Sequence, residues 1–80
     1  MNLRLEYIGQ RESLRVRRKT IAAEIASHRD SLLAELSLVN KPEDLKGEYI
    51  AALGVKLHER LMELAGVDRD IAILSQQIGD

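Results

Sequence analysis

Eighty residues without a cysteine make one small domain, with no disulfide staple and no thiolate metal site. The only aromatic side chains are two tyrosines, so the core is aliphatic, which suits helix-on-helix packing and leaves little for base stacking. The net charge of −1 hides an asymmetry: residues 1–20 hold six basic and two acidic side chains (+4), and residues 21–80 hold six basic and eleven acidic (−5). No apolar run approaches the ~20 residues that span a bilayer. The opening Met-Asn-Leu-Arg-Leu-Glu carries charge where a signal peptide needs an apolar stretch, so a cytoplasmic chain is expected.

Residues 1–8 are ambiguous. Leu3, Leu5 and Tyr7 alternate as in a strand, while Leu5 and Ile8 also fit a helix. A lone strand has nothing to pair with, so a helix or a frayed arm over residues 1–9 is the expectation. From Leu14 onward an apolar stripe runs at helical spacing through Ile21, Ile25, Leu32, Leu36 and Val39, broadened by Ala22, Ala26 and Leu33. Arg11 and Arg18 take stripe-like positions near its start, where long stems can cover apolar surface while the charge reaches water.

The only proline, Pro42, lies in Asn40-Lys41-Pro42-Glu43-Asp44. Asn40 reads as an N-cap with Glu43 completing a capping box, and proline is tolerated in a first helical turn. These signals predict a first helix ending near Leu38–Val39 and a second starting near Lys41. So short a connection demands antiparallel neighbours, an αα-hairpin in which residue i faces roughly residue 81 − i.

The second half carries the clearest pattern. Ile50, Leu53, Leu57, Arg60, Leu64, Val67, Ile71, Leu74 and Ile78 recur at alternating spacings of three and four, and eight of the nine are apolar. This is the seven-residue repeat of a helix built to lie against other helices. Gly47, Gly54 and Gly66 interrupt it; they are read either as tolerant surface sites or as functional, with close helix approach at Gly47 and Gly54 and equally a bend at Gly66. Arg60, the one polar residue of the repeat, is expected to reach Glu24 or Glu63 and fix the register.

Two helices leave one side of their interface open. Leu33, Leu45, Tyr49, Val55, Leu61 and Ile73 widen the stripes beyond a two-helix contact, and leaving such side chains wet forgoes about 1.5–3 kcal/mol each. The expected fold is therefore an all-α antiparallel hairpin over residues 1–80 with its turn near Asn40–Pro42. It assembles as a four-helix-type bundle or coiled coil, as a homodimer or with another protein. The expected interface joins Ile50, Leu53, Leu57, Leu64, Ile71 and Leu74 to Ile21, Ile25, Leu32 and Leu36. Leu33, Tyr49, Val55 and Leu61 form the outward contacts. Leu57→Asp or Leu64→Asp is expected to abolish assembly.

Little points to catalysis or a cofactor. The histidines are His28 and His58 only; Ser27 and Ser31 neighbour His28 in sequence, but no phosphate loop, nucleophile elbow or HExxH run is present. The 81 − i rule brings Glu24, His28 and His58 near one another, but two strong ligands do not make a zinc site, so no metal is expected. The basic stretch offers a second reading. Arg11, Arg15, Arg18 and Lys19 lie on overlapping helical faces and could contact phosphates of a nucleic acid. Against it, residues 11–19 fall opposite residues 62–70, which contain Glu63, Asp68 and Asp70, so intramolecular pairing is favoured.

In layout, a short helical hairpin with an assembling seam, the chain resembles small plasmid RNA-binding hairpins, type III secretion co-chaperones and small phage-encoded inhibitors. That resemblance is one of architecture, which does not carry function. The functional expectation is a non-enzymatic interaction module (adaptor, chaperone or inhibitor) acting through its apolar seam. A nucleic-acid-binding regulator is the alternative.

Overall fold

The computed structural model describes residues 2–79; Met1 and Asp80 of the predicted domain lie outside the described residues. Two long helices, α1 (Leu3–Glu35) and α2 (Gly47–Ile78), pack side by side as an antiparallel hairpin, joined by a loop holding a 3-10 turn at Pro42–Asp44. The molecule is a rod of 62 × 17 × 15 Å. The ambiguous N-terminal stretch is helix. The Asn2 side chain accepts from the backbone N–H of Arg4 and Leu5 and caps α1, and Gly9 lies inside the helix rather than breaking it.

All nine positions of the α2 repeat are buried or partly buried, with Leu53, Val67 and Ile78 the most enclosed. Along α1 the facing row is Tyr7, Arg11, Leu14, Arg18, Ile21, Ile25, His28, Leu32 and Glu35, again alternating between four and three residues. The apolar members were visible as a stripe. The polar members share the same register, and each is buried or partly buried except Arg18. Ile21 is the most enclosed side chain, at 3% exposure.

Cross-helix contacts fix the register. Arg4 Nε donates to the Ile78 carbonyl at 3.2 Å, and Arg11 Nη1 to Ser75 Oγ at 3.3 Å. Arg17 pairs with Glu63, Arg18 with Asp68, and Arg60 with Glu24. The residue numbers of these pairs add to 82, 86, 80, 86 and 84, so the helices are offset by two or three residues from the predicted sum of 81.

That offset comes from the turn, where the expected helix ends and caps are corrected. α1 stops at Glu35, not Leu38–Val39, and α2 starts at Gly47, not Lys41. Asn40 does not cap α2. Its Nδ2 donates to the carbonyls of Ala34 and Glu35, at 3.2 and 3.0 Å, and so closes the C-terminal end of α1. Glu43 therefore builds no capping box with it. Pro42 opens only a single 3-10 turn, after which Leu45 is extended, and α2 begins without a side-chain cap. Gly47 is thus the first residue of α2 and interrupts nothing. Leu36 and Val39, assigned to the stripe, lie in the loop and point outward; Val39 is 90% and Leu38 102% exposed.

At the other end of the rod, Gly79 takes a left-handed conformation (φ +92°) and returns its N–H to the carbonyls of Ser75 and Gln76, the usual glycine stop for a helix. The Arg4 guanidinium on the Ile78 carbonyl adds a cation at the negative end of the α2 dipole.

The two hydrogen bonds from Asn40 predict that Asn40→Ala lowers stability by about 1–3 kcal/mol, each lost hydrogen bond contributing about 0.5–1.5. A urea midpoint unchanged by the substitution would remove that role.

Candidate interaction surface

Heptad letters place every side chain around the hairpin. With Leu57 at a, the α2 seam is a and d; the α1 seam has Arg11, Arg18, Ile25 and Leu32 at a and Tyr7, Leu14, Ile21, His28 and Glu35 at d. In an antiparallel pair the two e positions flank one side of the seam and the two g positions flank the other. The contacts obey this. Arg17 and Glu63, both g, meet at 2.6 Å on one side, and Arg60 there reaches both Glu24 (3.6 Å) and Glu63 (3.1 Å). On the opposite side Arg18 pairs with Asp68 and Arg11 with Ser75, both partners at e. Arg60 thus contacts both predicted carboxylates.

The basic segment is occupied by the fold. Arg11 is 8% exposed and bonds Ser75, Arg15 holds Glu12 at 2.7 Å, and Arg18 holds Asp68. Of the four predicted phosphate contacts, only Lys19 forms no ion pair among the described residues. Exposed pairs of this kind contribute about 0.2–1 kcal/mol each. Their larger effect is orientational: they place the basic start of α1 against the acidic part of α2.

The Arg17 hydrogen bond holds the Glu63 carboxyl below its ordinary value; partial burial opposes this, and the charges of Arg60 and Arg17 add to it. A carboxyl lowered in the folded state contributes stability above its unfolded pKa, and that stability is lost as the pH falls through the lower, folded value. Glu63→Gln is therefore expected to flatten the acid limb of a stability–pH curve and to leave the alkaline limb unchanged. An unaltered acid limb in a pH series of urea melts would contradict it.

Glu24, His28 and His58 do not converge. Glu24 takes Arg60, His28 lies partly buried in the seam, and His58 is exposed; no group among the described residues could hold a metal ion. A shallow, open cleft is lined by Gln10, Leu14, Asp70, Ile73 and Leu74. It offers a single titratable group.

The predicted interface residues divide into two sets. Ile21, Ile25, Leu32, Ile50, Leu53, Leu57, Leu64, Ile71 and Leu74 close the hairpin on itself and are buried or partly buried. Leu36 was assigned with them but sits at the C-cap of α1, more than half exposed, because the helix ends one residue earlier; Glu35 holds the seam position. Leu33, Tyr49, Val55 and Leu61 stand outward, as expected, and are joined by Met62 and Ile73. The tip residues Leu38 and Val39 also stand outward, because α1 ends before them.

No helix among the described residues is long and apolar enough to cross a membrane. No family model, curated protein or solved structure matches this chain.

Proposed function

We propose that this chain is a non-enzymatic protein-interaction module, a helical hairpin that self-associates and presents its outer apolar surface to a partner protein as an adaptor, chaperone or inhibitor. One observation carries the reading. Among the described residues only four apolar side chains (Ile21, Leu53, Val67 and Ile78) are buried and none is fully enclosed, while thirteen large apolar residues stand exposed. A hairpin this thin encloses little, and chains of this size rely on a partner or a staple to complete a core. With no cysteine for a disulfide, association is the available route.

The nucleic-acid alternative is less well supported, because Arg11, Arg15 and Arg18 are engaged within the hairpin. Light scattering on the purified chain tests the proposal. The expected mass is at least twice 9.0 kDa at micromolar concentration. A monomer at all concentrations that retains nothing from native lysate, yet shifts a nucleic-acid probe at low salt, would replace this reading with the alternative.

A further inference from the structure

Resting on the self-association just proposed, we infer that the occupant of the open side is a second copy of this chain, seated antiparallel on the face formed by the e and b positions of both helices. A two-fold axis runs across that face, perpendicular to the rod.

The argument starts from α1. Its e positions are Ile8, Arg15, Ala22 and Arg29, extended by Leu36 at the C-cap; its b positions are Leu5, Glu12, Lys19, Ala26 and Leu33. Laid antiparallel on a copy of itself about a point between residues 20 and 21, every e residue meets a b residue whose number completes 41. Leu5 then meets Leu36, and Ile8 meets Leu33. Glu12 meets Arg29. Near the axis, Lys19 and Arg15 lie over Ala22 and Ala26. Leucine meets leucine or isoleucine, opposite charges meet, and each remaining cation lies over an alanine that its stem can cover. No two like charges are opposed. The existing contacts extend the charge pair into a chain, since Arg15 already holds Glu12 at 2.7 Å and Asp30 holds Arg29 at 3.2 Å.

The same face of α2 repeats the symmetry independently. Its e and b residues pair about residue 63: Leu61 meets Ala65, Gly54 meets Ala72, and His58 meets Asp68. A side chain added at Gly54 would meet nothing within 4 Å in the single hairpin, so this face is open to approach. The two centres coincide in space. The five cross-helix contacts, whose paired residue numbers add on average to about 84, set residues 20–21 beside residue 63, so one axis serves both helices.

Charge and area agree. The half nearer the turn, residues 21–62, holds five basic and seven acidic side chains (−2), and the open half, residues 2–20 and 63–79, holds seven and five (+2). Antiparallel copies set each half against its opposite; parallel copies set like against like. A face of 62 by 17 Å offers about 1,000 Å² per copy, above the roughly 800 Å² per partner of a stable interface.

The chain has no cysteine, so single spin labels can be placed cleanly. A label at Leu38→Cys, on the loop tip, is expected to give an intermolecular distance near the rod length of about 60 Å. A label at Ala23→Cys, exposed at mid-rod, gives one less than half as long. A short distance at residue 38 would overturn the antiparallel face while leaving self-association standing; no intermolecular distance at either site would overturn both. The charge register is tested separately. Glu12→Arg is expected to weaken the dimer roughly tenfold, because the two-fold axis doubles each opposed pair, and adding Arg29→Glu restores it. Failure of the second substitution to restore affinity would overturn the register.

Discussion

Ile21→Asp is expected to abolish the folded hairpin. Ile21 is the most enclosed side chain, 3% exposed at the middle of the seam. The substitution removes about 1.5–3 kcal/mol of apolar burial. It also leaves a carboxylate among aliphatic side chains of α2, a further cost of several kcal/mol. The cations one turn before it, Arg17 and Arg18, and Arg60 of α2 do not relieve it, since they already serve Glu63, Asp68 and Glu24. Against about 4–12 kcal/mol for a chain of 80 residues, that sum is decisive. Far-UV circular dichroism should lose most of its helical signal, because long helices without tertiary packing are marginal in water. Ile21→Val is the control, expected to cost only about 0.5–1.5 kcal/mol. An aspartate variant as helical and as resistant to urea as wild type would refute the seam. Leu57→Asp and Leu64→Asp act in the same way: both residues face α1, so they unfold the hairpin rather than merely separating copies.

Leu61→Glu is expected to do the opposite, separating the copies and sparing the fold. Leu61 stands outward, 46% exposed, two residues from the proposed axis on α2. Glutamate is a good helix former, so helicity should be unchanged. Less than half of the Leu61 surface is left for a second copy to cover, so the two lost contacts together remove about 1.5–3 kcal/mol, and the two new carboxylates lie close to each other across the axis. The dissociation constant should rise by roughly 10- to 10²-fold. Lys56→Glu, on the g side of the same helix, should leave association unchanged. Equal loss from both variants, or from neither, would argue against the e and b face.

Much of the fold was legible because the physics is local and periodic. Alternating spacings of three and four placed all nine seam residues of α2, and a single proline marked the reversal. The facing row of α1 was harder to read: Arg11 and Arg18 stood out at stripe-like positions, but Tyr7, His28 and Glu35 hold three more of its nine positions outside the apolar stripe. The turn was misjudged for a chemical reason. Asparagine is equally able to receive N–H groups at a helix start and to give its amide to carbonyls at a helix end. Asn40 does the second, which ends α1 at Glu35 and displaces Leu36, Leu38 and Val39 into the loop. The cationic segment was legible in both of its meanings, and the ion pairs with Glu63 and Asp68 show that Arg17 and Arg18 pair within the hairpin. The self-complementary face was hidden for a different reason. It becomes visible only when the register of the hairpin shows that the centres of the two helices lie at one level.

The claim that association completes the core is tested most directly by the melting temperature as a function of protein concentration. Folding coupled to dimerisation makes the midpoint depend on concentration, and a hundredfold increase should raise it by roughly 5–10 °C. A midpoint that stays constant over that range, in a chain that melts cooperatively, would contradict the account.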